Sequence, residues 1–260
     1  MTSRPLRYDS VDERRGFILE TLRSTGFLAV ADLSRQLGVS DMTVRRDLRK
    51  LAENGEARIV HGGVSLPHGS LGPAGFAGRT NSNTDAKQRI AHAALELLTP
   101  GDTIAVDAGT TTYELSAALR DDWDGCVVTH SVPVLQLMLE RPAVRAIGLG
   151  GDLFPTSQAF VGPMSVDAAA RVRVRTFFLG AAAIDAGGVY VAMDIECPTK
   201  QALMDIADEV VLLVDHGKFE RSAPVRLCPL SRLQGVVTDE QPSAAVSDRL
   251  AAEGVELILA

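Results

Sequence analysis

Apolar positions in the first sixty residues recur at helical spacing. Phe17, Ile18 and Leu22 mark one helix. Ser10 and Glu13 open it as an S-x-x-E capping box, and Gly26 closes it. Leu33 and Leu37, four apart, predict a second short helix over 31–37. Val44, Leu48 and Leu51 stand at i, i+4, i+7 and form the apolar stripe of a third helix over 41–53. Between the last two lies Gly38-Val39-Ser40, a glycine for the tight turn and a serine to cap the next helix. After Gly55 the pattern predicts a small β-ribbon, 56–60 and 63–66, with His61-Gly62 at its tip. Residues 67–82 have no apolar period and read as a linker; around 76–79 an ordered surface loop fits equally.

From Thr84 onward the pattern alternates. Helices are predicted over 85–98, 111–120 and 132–141. Short apolar strands are predicted at 103–107, 126–129, 144–149, 176–181, 210–214, 235–238 and 255–259. Strands alternating with helices imply an α/β domain with a mostly parallel sheet covered on both faces. The expected organisation is therefore a winged helix-turn-helix head (1–66), a linker (67–82) and an α/β domain (83–260).

The third helix turns Met42, Thr43, Arg45, Arg46, Arg49 and Lys50 away from its stripe. Two helices joined by a Gly turn, the second with a basic polar face, make a helix-turn-helix. Arginine forks suit guanine edges and phosphates, and Thr43 suits a phosphate or a thymine methyl. Arg58 and His61 on the ribbon could reach a phosphate or the minor groove. A solvated helix face is the alternative for any charge run. Here the cap, turn, stripe and ribbon stand in the order that DNA reading needs.

Ligands of parallel sheets sit beyond the strand carboxyl ends. The first such end is Asp107-Ala108-Gly109-Thr110-Thr111-Thr112. Free N–H groups at a helix start favour an anion, Gly109 permits close approach, and Thr110 and Thr111 add hydroxyls. Asp107 would repel phosphate and suits a sugar hydroxyl instead. The GK[ST] ending of a Walker loop is missing. Other ends are Thr129-His130-Ser131, Gly148-Leu149-Gly150-Gly151 and Asp215-His216-Gly217-Lys218, the last offering a point charge for phosphate. Helix caps and ordinary turns are the plainer readings of each.

Composition narrows the function. Hydrophobic residues are 46% and charged residues 23% of the 260, which excludes a disordered chain. No apolar run reaches membrane-spanning length, and the N-terminus is too charged for a signal peptide, so a cytoplasmic protein is expected. Cys126, Cys197 and Cys228 lack metal-ligand or disulfide spacing, so no metal or other cofactor is expected. The net charge of −7 conceals a split: residues 1–65 carry 11 Lys+Arg against 9 Asp+Glu, and the rest 15 against 24. Only the head suits DNA.

Residues 33–63, with Val39-Ser40, Thr43-Val44-Arg45-Arg46-Asp47-Leu48 and His61-Gly62-Gly63, resemble the winged helix-turn-helix of DeoR-type bacterial repressors. From about 79 to 239 the chain resembles the effector domain of the same regulators, itself similar to ribose-5-phosphate isomerase. Arg79, Asn83, Lys87, the DAGTTT loop, Thr129, Ser131, Gly150-Gly151 and Asp215-x-x-Lys218 fall in the family's order; His130 departs from its frequent Asn. The resemblance implies DNA contacts from Ser40, Thr43, Arg45 and Arg46. It also implies a phosphorylated sugar or sugar-alcohol effector that relieves DNA binding, and a homo-oligomer. The isomerase's acidic D-G-A-D-E run corresponds here to Leu179-Gly180-Ala181-Ala182-Ala183. Catalysis is therefore not expected, and an isomerase fused to a DNA-binding head is the alternative. Glu196 and Asp185 remain as carboxylates that could face a sugar. The expected effector set is Asp107, Gly109, Thr110, Thr111, Thr129, Ser131, Gly150, Glu196 and Lys218. The expected DNA set is Ser40, Thr43, Arg45, Arg46, Arg49, Arg58 and His61.

Overall fold

The computed structural model describes residues 11–25, 27–60, 62–65 and 75–260. The expected cap at Ser10, the helix stop at Gly26, the ribbon tip at His61 and the first half of the linker lie outside them.

The head comprises α1 (Val11–Thr25), β1 (Phe27–Ala29), α2 (Val30–Leu37), α3 (Asp41–Glu53), β2 (Arg58–Val60) and β3 (Gly63–Ser65). The stripes named above converge: Ile18, Leu22, Leu33, Leu37, Val44, Leu48, Leu51 and Val64 form one core. α2 ends on Gly38 at φ 64°, a left-handed conformation that a side chain would strain. Ser40 then caps α3, its Oγ accepting from the Thr43 amide at 3.2 Å. The ribbon is wider than its sequence pattern indicates. β3 pairs with β2 on one side and with β1 on the other. β2 and β3 are marked by the Gly-containing turn between them, whereas β1 has three residues and a partner far along the chain, so nothing local marks it.

The second part begins at α4 (Phe76–Thr80) and α5 (Thr84–Leu95). Phe76 packs edge-on against Tyr113, and its amide donates to the Thr156 carbonyl at 3.1 Å. This half of the linker stretch is therefore ordered against the domain. There follow β4 (Thr103–Val106), α6 (Thr110–Ala118), β5 (Cys126–Thr129), α7 (Val132–Met138), β6 (Arg145–Gly148), β7 (Asp152–Phe154), β8 (Ala159–Val161) and α8 (Pro163–Ala169). The remainder is β9 (Val174–Gly180), β10 (Ala183–Asp185), β11 (Gly188–Val191), α9 (Cys197–Asp205), β12 (Ala207–Leu213), β13 (Val225–Cys228), β14 (Gly235–Thr238), α10 (Ala244–Ala252) and β15 (Glu256–Leu259).

Seven strands form a parallel sheet in the order β15-β14-β12-β9-β4-β5-β6. Alternate side chains feed two cores. Ala105, Val128, Phe177, Leu179 and Leu212 face one way, and Ile104, Val106, Val127, Phe178 and Leu213 the other. Burial on both faces explains the continuous apolar runs. Successive strands run outward from β4 in one direction and from β9 in the other. The sheet's switch point therefore lies between these neighbours, where a crevice opens at the carboxyl ends. Two antiparallel additions complete the domain: the β7–β8 hairpin and the sheet β10-β11-β13. Among the described residues no helix is long and apolar enough to cross a membrane.

Candidate functional site

Two surfaces carry the chemistry. On the head, α3 exposes Met42, Arg45, Arg46, Arg49 and Lys50, while Val44, Leu48 and Leu51 anchor its other side. Lys50 pairs with Glu53 at 3.2 Å. Thr43 shares a 2.9 Å hydrogen bond with Ser40 at the start of the helix. A residue that sequence reading leaves out fixes the helix: Asp47, only 1% exposed, accepts from Arg14 Nε at 2.7 Å and Arg15 Nε at 3.0 Å. Both arginines come from α1, so α3 is held against it by charge as well as by packing. Arg58 is half-buried on β2 beside the exposed Ile59, and His61 is outside the described residues.

The second surface is a cavity of about 1020 Å³ at the ends of β4, β9 and β12. Gly109, Thr110 and Thr111 bring the N-terminus of α6 to its wall. Thr112 shapes that turn, its hydroxyl donating to the Asp107 carbonyl at 2.8 Å and accepting from the Gly109 amide at 3.1 Å. Opposite stands Gly180 at the end of β9, where a Cβ would come within 3.2 Å of Asp107 Oδ2. Glu196, Lys200 and Lys218 also line the space, with Arg79 from α4 and Arg221 beyond β12.

Asp107 sits behind this wall, fully buried. Its Oδ2 accepts from the Gly180 amide at 2.8 Å and from Lys200, and its Oδ1 meets His130 Nε2 at 3.0 Å. Burial alone would raise the Asp107 pKa. The Lys200 ammonium and His130 overcome that and hold the carboxyl well below the usual carboxylate range. Both of its oxygens are engaged, so Asp107 braces the ends of β4 and β9. His130 also places Nδ1 2.9 Å from the Phe160 carbonyl, which ties the β7–β8 hairpin to the strand end.

The cations are crowded. Burial lowers the pKa of Arg79 and Lys87, with Glu196 and Asp215 respectively opposing the shift. Lys218 falls to about 8, chiefly through lost hydration; Asp215 opposes this, while Arg221, Arg79 and Lys87 add to it. Asp215 also holds the loop, accepting from Asn83 Nδ2 at 2.8 Å and from the Gly217 amide at 3.1 Å. Lys87 donates to the Arg79 carbonyl and so joins α5 to α4.

Thr129, Ser131 and Gly150 are outside the cavity lining. Thr129 donates to the Val106 carbonyl at 2.6 Å, and Ser131 caps α7. The β7–β8 hairpin bridges over this end through Ser131 and Ala159. The Gly150 carbonyl accepts from Ser165 at 2.7 Å, past the outermost strand β6. Asp185 likewise turns to the β10–β11 hairpin, accepting from the Gly187 amide at 2.7 Å. Sequence reasoning omits Lys200 and gives Arg79 and Lys87 no separate weight. Lys87 and Lys200 each start an i, i+3, i+4 stripe, with Ile90 and Ala91 and with Leu203 and Met204, so a lysine stands where an apolar residue belongs. That misfit is the missed signal. As for metals, His216, Asp239 and Glu240 place ligand atoms within 4.8 Å of one another. His216 Nδ1 is already 2.7 Å from Asp239, and Arg89 lies 3.5 Å from the same carboxylate, so this group is an ion-pair network.

Residues 14–69 match the DeoR-like helix-turn-helix domain and 82–240 the DeoR C terminal sensor domain. The chain is 31% identical to the glycerol-3-phosphate regulon repressor of Escherichia coli K12, covering 95% of this chain and 98% of that protein. It is 30% identical to the HTH-type transcriptional repressor CsqR of the same organism, covering 95% and 94%. It is 31% identical to the L-fucose operon activator of Haemophilus influenzae, covering 87% and 91%. Among solved structures, ribose 5-phosphate isomerase A of Methanocaldococcus jannaschii aligns over 53% of this chain and 55% of its own, at 18% identity and TM-score 0.39. Chaetomium thermophilum eIF2B delta aligns over 89% and 73%, at 16% identity and TM-score 0.43. On the two domain matches and the full-length relatives, the chain belongs to the DeoR family: it is a helix-turn-helix transcriptional regulator and not an enzyme.

Proposed function

We propose that the protein represses genes of carbohydrate metabolism and that a phosphorylated sugar or sugar alcohol, bound in the cavity, relieves the repression. The observation that carries this reading is the gathering of Arg79, Lys87, Lys218 and Arg221 around one another close to the N-terminus of α6. Asp215 and Glu196 offset part of this charge, and the remainder repels until a further anion joins it. A phosphate supplies that charge and accepts from ammonium, guanidinium and helix N–H groups alike. Lys218, Gly109, Thr110 and Thr111 form the phosphate side, and Glu196 takes sugar hydroxyls. Asp107 acts from behind as a positioning residue. The names of the glycerol-3-phosphate and L-fucose relatives favour carbohydrate genes. Repression follows two of the three names, and the fucose relative is an activator.

On the head, Ser40, Thr43, Arg45, Arg46 and Arg49 meet the major groove, with Arg58 at the flanking backbone. A symmetric homo-oligomer presents several heads to repeated half-sites. The test is a thermal-shift screen against phosphorylated sugars, repeated as operator gel shifts. A bound effector raises Tm and frees the operator. If every compound in the panel leaves both unchanged, the reading is wrong.

A further inference from the structure

The cavity is not built by the sensor domain alone. Asp32, Arg35 and Gln36 of α2, in the DNA-reading head, line the same space as Arg79, Thr110 and Lys218. We propose that Arg35 and Gln36 are effector-binding residues, so that the ligand bridges the head and the sensor domain directly. This rests on the phosphosugar reading of the cavity.

The geometry supports two unlike ends. The sensor end gathers cations and a helix N-terminus and suits phosphate. The head end offers a carboxylate, a guanidinium and an amide, a mixed set of donors and acceptors that suits hydroxyl groups. At about 1020 Å³ the space far exceeds a phosphate ion. It lies at the upper end of small-molecule sites, which run from roughly 300 to 1,000 Å³. Arg35 Nη2 is 2.6 Å from Asp32 Oδ1, with the Arg35 side chain 79% exposed, so its remaining N–H groups are open to a ligand. α2 leads straight into the reading helix: Ser34 Oγ donates to the Val39 carbonyl at 2.6 Å, and Gly38-Val39-Ser40 joins α2 to α3. A ligand gripped at both ends therefore fixes where α3 sits. The ligand class follows: a phosphate ester whose hydroxyls lie a sugar's length from the phosphorus. Inorganic phosphate fills one end only and leaves the head unheld, so it binds without inducing.

The test uses the full-length protein, with calorimetric titration in the absence of DNA and operator gel shifts beside it. The probes are inorganic phosphate and the 6-phosphates of glucose, galactose, galactosamine and fructose. In the wild type a hexose phosphate binds and releases operator, while inorganic phosphate binds weakly and releases none. Arg35→Ala weakens the hexose phosphate about tenfold, the loss that one hydrogen bond to a charged group carries, Gln36→Ala about threefold, as for a neutral bond, and both leave inorganic phosphate unchanged. If the wild type binds a hexose phosphate and both variants bind it equally well, the bridging inference is overturned and the phosphosugar reading stands. If the wild type binds neither inorganic phosphate nor any hexose phosphate, the phosphate end of the cavity is refuted and the bridge fails with it.

Discussion

The head and the sensor cavity both gather cations, and they do so in opposite ways. Arg45, Arg46 and Arg49 stand exposed on α3, fully hydrated, each carried by a long flexible side chain. On the cavity wall Lys200 is 5% exposed, and lost hydration brings the Lys218 pKa down to about 8. The difference follows the size of the partner. A duplex is a continuous anion too large to enclose, and its binding draws on counterion release, which is screened by salt. A small phosphate can be surrounded, in a medium where each charge acts more strongly. The same residue types thus give a salt-sensitive surface in one place and a water-depleted socket in the other.

The largest expected effect breaks the exposed side of this contrast. Arg45→Ala or Arg46→Ala removes specific operator binding, at roughly 1–3 kcal/mol for each base edge that an arginine fork reads. Gel shifts check it, and an unchanged melting curve shows that the fold survives. Next, Asp47→Ala leaves Arg14 and Arg15 without their shared carboxylate and loosens α3. We expect about 1–3 kcal/mol, discounted because both arginines are partly solvated. Hydrogen exchange of the head's amides reads it. On the enclosed side, Lys218→Ala leaves operator binding intact and blunts induction; a variant induced normally removes Lys218 from the site.

The enclosed side should also respond to pH. Lys218 keeps its charge below about 8 and loses it above. Affinity for a phosphate ligand therefore holds steady near neutrality and falls as pH rises past that value, by up to tenfold per pH unit for one proton taken up. The stability of the ligand-free protein moves the other way. The unfolded lysine, at 10.5, binds more protons than the folded one between about 8 and 10.5, so the cost of burying the charge relaxes as pH rises through that window. Titrations at three pH values separate the two trends. The smallest effect belongs to Ser40→Ala, which removes the α3 cap for about 1 kcal/mol. Thermal melting detects it.

Much of the fold is legible in the sequence. All seven strands read from the apolar runs belong to the parallel sheet: the five inner ones are buried on both faces and leave apolar segments, while the edge strands β6 and β15 are half-buried or exposed. The third helix, 41–53, follows from one stripe and one cap and has those bounds in the structure. The short antiparallel pieces β1, β7, β8, β10 and β11 are not legible. Three or four residues carry no measurable period, and long-range pairing alone decides them. For the site, the β4 turn and Lys218 are visible as strand ends. Which ends share a crevice depends on strand order and on what covers them: β5 and β12 flank the β9–β4 switch point alike, but the β7–β8 hairpin bridges over the end of β5. Without that order, sequence alone puts Thr129, Ser131 and Gly150 with the cavity.

The occupancy of Asp107 has one more consequence. A carboxylate that accepts from a backbone amide, a lysine and a histidine, behind the cavity wall, is committed to joining the ends of β4 and β9. Asp107 is thus built to hold the cavity wall rather than to act on what enters the cavity. Under the proposed function, a receptor of this kind samples its metabolite repeatedly without depleting it, and its response follows the concentration in the pool.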